Sequence, residues 1–451
     1  MNTNSLNKIF TEKFYFYYIV SLMLLMPVAE LISELLGINF VTQPVILSVY
    51  GIAGLFVVVM NLLDSYKNKK AFYPSDMFFI LLVLFATISL IFSKDIYNST
   101  IGWHYDELPM HFMAYFSLMF AGTMITDDRL RKKVLYTFVV VAAIQGVVAF
   151  FQTFGLRITE CFYDTEWHTR DNLSYGLTQH NNWFAGLSTI FAAACAGLFI
   201  FGEKKKKLTY LYLVLAALSV YVSFCTGARI AWVGNAVIIL FYIVSLTVMK
   251  IKKYDGHLLR SCVLSFLVIL AVYAVVIALI SLSRDTFASG IEEFKNEDLS
   301  NIESLGTARG YIWKYGLESV PHNWLTGVGL DNYVYAFYSN PNWSEGMRTQ
   351  AKGHNEYLHT LVTQGVFAAL NYIALLVFAA STAVKDVVCT KNEEHRRITW
   401  ILLGMFFGYA AQAFFNSSVI NTAMYFWIVI GMTVPRTVQQ PLKIKSRKQS
   451  D

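Results

Sequence analysis

The chain reads as an all-α polytopic membrane protein of about twelve transmembrane helices, with one large extracytoplasmic loop between spans nine and ten. Three observations predict this. Of 451 residues, 56% are hydrophobic and only 15% charged, whereas a soluble domain carries about 25% charge. Apolar windows near twenty residues long recur along the sequence, each long enough to cross a bilayer core. The basic residues fall in alternate connections between those windows.

The windows lie at about 14–36, 44–64, 76–93, 109–126, 133–155, 181–202, 207–225, 229–249, 260–283, 357–384, 398–417 and 420–436. Lys8 and Lys13 precede the first, which resembles a signal peptide. Its apolar run continues past Pro27 with no small-residue cleavage pattern, so it is expected to be a retained span. The window at 109–126 is the weakest, being short and holding His111. Spans one to nine thus fill residues 1–283, the loop occupies 284–356, spans ten to twelve fill 357–436, and a basic tail follows at 437–451.

Placing both termini in the cytoplasm puts 26 of the 36 Lys and Arg residues on that side: Lys8 and Lys13, the clusters around Lys69, Arg131, Lys205, Lys252 and Arg396, and the tail. Such a bias sets orientation. It also accounts for the net charge of +6 without a nucleic-acid partner. The five cysteines show neither zinc nor redox spacing.

The outer connections carry the unusual content. Loop 284–356 is long for a compact bundle, a sign of function. Within it Ser304–Val320 has a helical, amphipathic pattern, Pro321 should stop that helix, and Thr326-Gly327-Val328-Gly329 should make a turn. Arg229, in Thr226–Trp232, caps the outer end of the eighth span. The plain reading is an arginine snorkelling beside a belt tryptophan. The functional reading is an anion site, since a guanidinium offers two parallel charge-assisted bonds to phosphate. Arg309, in Gly306–Trp313, divides in the same way between a solvated loop residue and a phosphate ligand. Arg284, Arg348, Arg157 and Arg170 compete for that role from less distinctive surroundings. His354 stands in Gly353-His354-Asn355-Glu356-Tyr357 and suits a general base or a phosphate hydrogen bond. His354 and His359 are five apart, off one helical face, so no metal site is expected. His180, opening the sixth span, is a weaker candidate for the same cavity. Glu30 and Glu34 share a face near the outer end of the first span.

Taken in order, Thr226–Trp232, Gly306–Trp313, Pro321–Tyr333 and Gly353–Leu361 resemble the O-antigen ligase and O-antigen polymerase family, over roughly residues 210–380. The resemblance implies a GT-C type fold, and a glycan donor linked to undecaprenyl diphosphate. It also implies a lipid or polysaccharide acceptor, and a place in the bacterial cytoplasmic (inner) membrane. It assigns Arg229 and Arg309 to the diphosphate and His354 to the reacting centre; Arg348, Asn355, Tyr357 and His180 are candidate substrate contacts from their own positions near that centre. Where the family often has serine before the first arginine, this chain has Ala228. The implied reaction is an inverting, metal-independent transfer of a glycan to an acceptor hydroxyl, with no cofactor. The rival reading is a twelve-span transporter or flippase, against which stand the late position of the long loop and the lack of a half-to-half repeat.

Overall fold

A computed structural model of the chain describes all residues except 1–9, 38–41, 102–106, 159–171, 205, 285–289, 293–294, 297–302, 304, 345–346 and 443–451. The helices are α1 Glu12–Leu36, α2 Thr42–Lys67, α3 Pro74–Ile91, α4 Ile96–Ile101, α5 Pro109–Met124, α6 Asp128–Gln152, α7 Asn181–Phe201 and α8 Lys206–Phe224. They continue with α9 Arg229–Ile251, α10 Gly256–Ser283, α11 Leu305–Asn323, α12 Tyr335–Tyr338, α13 Glu356–Gln364, α14 Val366–Cys389, α15 Glu393–Gln412 and α16 Ile420–Thr433. No sheet forms among the described residues; one isolated bridge joins Phe72 and Leu442.

Ten of these helices are long and apolar enough to cross a membrane, against the twelve expected. The shortfall is α5 and α16, of 16 and 14 residues. At 1.5 Å per residue they reach about 24 and 21 Å, short of a ~30 Å hydrocarbon core. Their burial explains why length is not demanded of them: every residue from His111 to Thr123 and from Ile420 to Thr433 is enclosed by protein. A helix with no lipid-facing surface need not match the bilayer thickness. The pair packs backbone to backbone at glycines. A Cβ on Gly431 would stand 2.0 Å from the Met119 carbonyl oxygen, and one on Gly122 would stand 2.8 Å from the Met432 nitrogen. With α7, itself almost wholly buried, they form the centre of the bundle.

The expected tenth span, 357–384, is two helices. Gly365 breaks it with φ +85°, and a Cβ there would meet the Leu325 carbonyl oxygen at 2.4 Å. The Val366 amide turns away to the Trp324 carbonyl, 2.8 Å. This break frees α13 from the membrane-crossing α14 and makes it a short helix that carries polar side chains. Likewise α11 runs through Pro321 to Asn323, two residues beyond the expected stop, and Asn323 Nδ2 donates to the Ser319 carbonyl, 3.1 Å.

Hydrogen bonds divide the connections into two ends. At one, Lys132 Nζ binds Glu203 and Glu394 (2.7 Å each), Arg436 pairs with Asp76, and Tyr254 Oη donates to Val387 (3.0 Å). At the other, Lys94 N donates to Val328 (2.9 Å), Asn181 Nδ2 to Thr226 (2.8 Å), Asn416 Nδ2 to Asn182 (3.0 Å), and Arg284 to the carbonyls of Thr153 and Asn172. Connections expected on the same side of the membrane therefore meet one another. Both α5 and α16 run from one end to the other: Glu107 sits with the long loop and Asn421 with Thr178 of the connection before α7, while Thr126 and Arg436 lie at the opposite end.

Candidate functional site

The site is built where the long loop returns to the bundle. The Thr326–Gly329 turn forms as expected. Gly327 has φ +71° and Gly329 φ +119°, and a Cβ on Gly327 would overlap the Thr363 backbone at 2.2 Å. Only glycine lets this turn lie against the end of α13, where Val328 N and Gly329 N donate to Val362 and Thr363 (2.9 and 3.0 Å). Rings of Tyr315, Tyr333 and Phe337 pack beneath it with Ile312 and Val362 as the loop's own small core.

Into this frame the segment 351–356 is clamped. Trp313 Nε1 of α11 donates to the Gly353 carbonyl, 3.0 Å. Asn355 Oδ1 accepts from Leu358 N, 3.0 Å, and so caps α13. Between them His354 is held at φ +44°, a left-handed conformation that a side-chain-bearing residue adopts only when its surroundings impose it. His354 is half-buried and faces the charges of Arg309 and Arg348. Burial first, then those two guanidinium groups, hold its imidazole down at about 4, so it is neutral at physiological pH. Arg309 is half-buried one turn before Trp313, with Nη1 donating to the Gly306 carbonyl, 3.2 Å. Arg348 is exposed.

The remaining expected residues fall as follows. Arg229 is half-buried at the first position of α9, at the same end of the bundle. Contacts run from its turn through Thr226–Asn181, Asn182–Asn416, the adjacent Phe415 against Trp313 (ring centroids 6.0 Å), and Trp313–Gly353. His180 caps α7 by accepting from Asn182 N at Nδ1, 3.1 Å, and stacks on Trp183. Tyr357 donates its hydroxyl to the Ala410 carbonyl, 2.7 Å, and packs on Phe414 and Tyr372. Arg284 spends its guanidinium on two backbone carbonyls. Arg170 lies outside the described residues.

On the other flank of the same segment the structure gathers a group that sequence reasoning missed. Lys352 is 2% exposed and bonds to both Glu107 and Asp331, each 1% exposed. Tyr115 Oη donates to the second oxygen of Glu107, 2.9 Å. His359 stacks on Tyr333 and accepts the Gly353 amide at Nδ1, 3.3 Å, leaving its proton on Nε2, 3.7 Å from Asp331. Glu356 is buried under the hydroxyls of Tyr372 (2.6 Å) and Tyr409 (3.4 Å), and burial pushes its carboxyl up to about 7. The one signal available was Lys352, a cation against the charge bias and two residues before His354. Glu107 and Asp331 are 21 or more positions away from it in sequence, and although Asp331 falls within Pro321–Tyr333, nothing there marks it as a partner of Lys352.

Fold and site define a polytopic helical membrane protein with a buried cluster of ionisable groups at one end, where a long loop returns to the bundle. Residues 214–373, about a third of the chain, match the family described as O-antigen ligase. It is 24% identical over 350 residues to an uncharacterized protein of Haemophilus influenzae, covering 76% of this chain and 78% of that protein. It is 22% identical over 351 residues to a ComP-specific O-oligosaccharyltransferase of Acinetobacter baylyi, covering 76% of this chain but 59% of the relative's length.

Proposed function

We propose that the protein is an inverting glycosyltransferase that moves a glycan from undecaprenyl diphosphate to an acceptor hydroxyl, on the outer face of the bacterial cytoplasmic membrane. The clustering of Arg309 and Arg348 on a half-buried, backbone-strained His354 carries this reading. The family match and the oligosaccharyltransferase relative support it. The long-loop end is assigned outward because the opposite end collects the basic connections.

In this reading the acceptor oxygen attacks the anomeric carbon, the bond to the bridging phosphate oxygen breaks, and that oxygen takes the electron pair. Arg309 and Arg229 hold the diphosphate and stabilise its growing charge, an interaction stronger in the transition state than before it. Arg348, at the loop surface, meets the glycan or the outer phosphate. A bound diphosphate offsets the two arginines facing His354. That lifts the imidazole from about 4 toward its ordinary range, so it hydrogen-bonds the anion or accepts the acceptor's proton. Asn355 Oδ1 and the Tyr357 hydroxyl proton are taken by the protein, so these residues meet substrate through the Asn355 amide nitrogen and the Tyr357 oxygen lone pairs. The loop packs over the centre and limits hydrolysis.

The test is purified protein in liposomes with a lipid-linked glycan and an acceptor. Release of undecaprenyl diphosphate with a new glycosidic product supports the transferase. Movement of lipid or glycan across the bilayer without covalent change would instead establish a transporter.

A further inference from the structure

Beyond the cationic centre lies a second built feature, a narrow cleft on the acidic flank. Its polar lining is Glu107, Glu356, His359, Thr360, Gln364 and Ser418. Apolar walls come from Leu82 and Phe85 of α3, Phe116 of α5 and Trp427 of α16. Counting its mouth it holds about 540 Å³ of free space, but the room inside for water-sized spheres is about 40 Å³. That is enough for a few waters at some 10–15 Å³ each.

Two facts say what such a cleft takes. The first is charge. Lys352 already fills the space between Glu107 and Asp331, so these carboxylates are not open to a cation, and Glu356 adds a third acid with no arginine beside it. An anionic diphosphate is repelled here and drawn to the arginine side of the same segment. The second is an unspent donor. His359 is 7% exposed, its Nδ1 accepts the Gly353 amide, and its Nε2 has no hydrogen-bond partner among the described residues. A buried N–H in that state awaits an acceptor. Carboxylate oxygens that accept, an N–H that donates, and amide and hydroxyl groups between aromatic walls suit a ring with several hydroxyls on one edge and an apolar face. They suit a lone side-chain hydroxyl less, because most of the lining would then go unpaired.

We propose that this cleft is the acceptor subsite, which seats the hydroxyl-bearing edge of a neutral sugar residue while the arginine side holds the donor's diphosphate. The sugar ring rests at the mouth and its hydroxyls reach in, as the small enclosed volume requires. Segment 352–359 is then a partition. His354 faces the leaving group, and Glu356 and His359 face the nucleophile. This assignment rests on the transferase reading above.

The experiment pairs two readouts on full-length protein. One is binding of undecaprenyl diphosphate to the detergent-solubilised protein. The other is glycan transfer in cells lacking the wild-type copy. Glu356→Gln and His359→Gln should lower transfer about 10- to 100-fold, the loss expected for hydrogen bonds to such groups, with diphosphate binding unchanged. Arg309→Ala should lose both. Thr360→Val, which keeps the side-chain shape and leaves the ion pairs alone, should lower transfer more mildly and guards against loss of folding in the other two. Unchanged transfer in all three cleft variants overturns the subsite, as does weakened diphosphate binding that tracks the loss of transfer. A product whose glycan is released by protease, showing a protein acceptor, overturns the sugar assignment. If the wild type binds no undecaprenyl diphosphate, the transferase reading fails and takes the subsite with it, an outcome distinct from the others.

Discussion

His354 and Glu356 are two residues apart, yet their surroundings push them in opposite directions. On one flank of the segment, burial and two guanidinium groups lower an imidazole to about 4. On the other, burial with Glu107 nearby raises a carboxyl to about 7, against the lowering effect of Tyr372, Tyr409 and Lys352. The imidazole is thereby neutral near physiological pH, while the carboxyl sits near its midpoint and is partly ionised. The comparison teaches that position in sequence does not assign chemistry; the flank a side chain faces does. A short clamped stretch of backbone separates a flank with two arginine charges from one lined by acids, which the proposed reading assigns to donor and acceptor.

The largest effect should come from emptying the cationic flank. Arg229→Ala, Arg309→Ala and His354→Ala should each lower glycan transfer about 100- to 1000-fold while the protein still inserts, as read by product on gels beside membrane yield. Lysine should rescue the arginines poorly, because it lacks the planar fork. Near-normal transfer by all three would remove the site.

Next in size is the ion triad. Lys352→Met leaves Glu107 and Asp331 buried without their cation, at a cost of about 3–5 kcal/mol. Low yield and a lower melting temperature in detergent are expected. A variant as stable as the parent would show that the loop is not pinned to the bundle by this contact.

A smaller effect separates the flanks by pH. The Glu356 carboxyl is raised from 4.5 to about 7 by folding, so between those values the folded protein holds more protons than the unfolded chain, and stability falls as pH rises. His354 is lowered from 6.5 to about 4, so in that interval the unfolded chain holds more, and stability rises with pH. Glu356→Gln should therefore leave a clearer rise between pH 4.5 and 6.5, and His354→Gln a clearer fall between 4.5 and 7. Melting temperatures across pH measure both. Identical profiles for the two variants would break the comparison.

The smallest effect tests the clamp. Asn355→Ala removes the cap of α13, worth about 1 kcal/mol. It should cost transfer more than stability, because His354 is positioned by that turn. Asn355→Asp, which can cap, should restore most of the activity.

Much of the fold was legible because membrane spans announce themselves by length and apolarity, and the basic clusters grouped the connections correctly by end. α5 and α16 fell short of span length because helices enclosed by protein escape the bilayer's demand. The break at Gly365 was hidden because a glycine in an apolar run gives no sign of the Leu325 carbonyl packed against it. In the site, Arg309 and Arg348 were readable as cations against the orientation bias and His354 as an ionisable residue where the long loop returns, and the structure places both arginine charges close enough to act on His354. Arg229 stands at the same end, reached through α7 and the turn after α15. Glu107, Asp331 and Lys352 were not readable, because an ion cluster assembled from three distant segments has no local pattern. Asn355, His180 and Tyr357 were read as ligands from their polarity; in the fold Asn355 Oδ1 and His180 Nδ1 cap helices and the Tyr357 hydroxyl binds a carbonyl, structural roles that sequence polarity alone does not reveal.

The central claim is that opposite flanks of one segment serve donor and acceptor. A structure of the protein with undecaprenyl diphosphate bound tests it most directly. The account predicts phosphate oxygens about 3 Å from the guanidinium groups of Arg309 and Arg229 and close to His354, with the acidic cleft free of phosphate. A diphosphate lodged beside Glu107 and Glu356, or held away from both of these arginines, would contradict it.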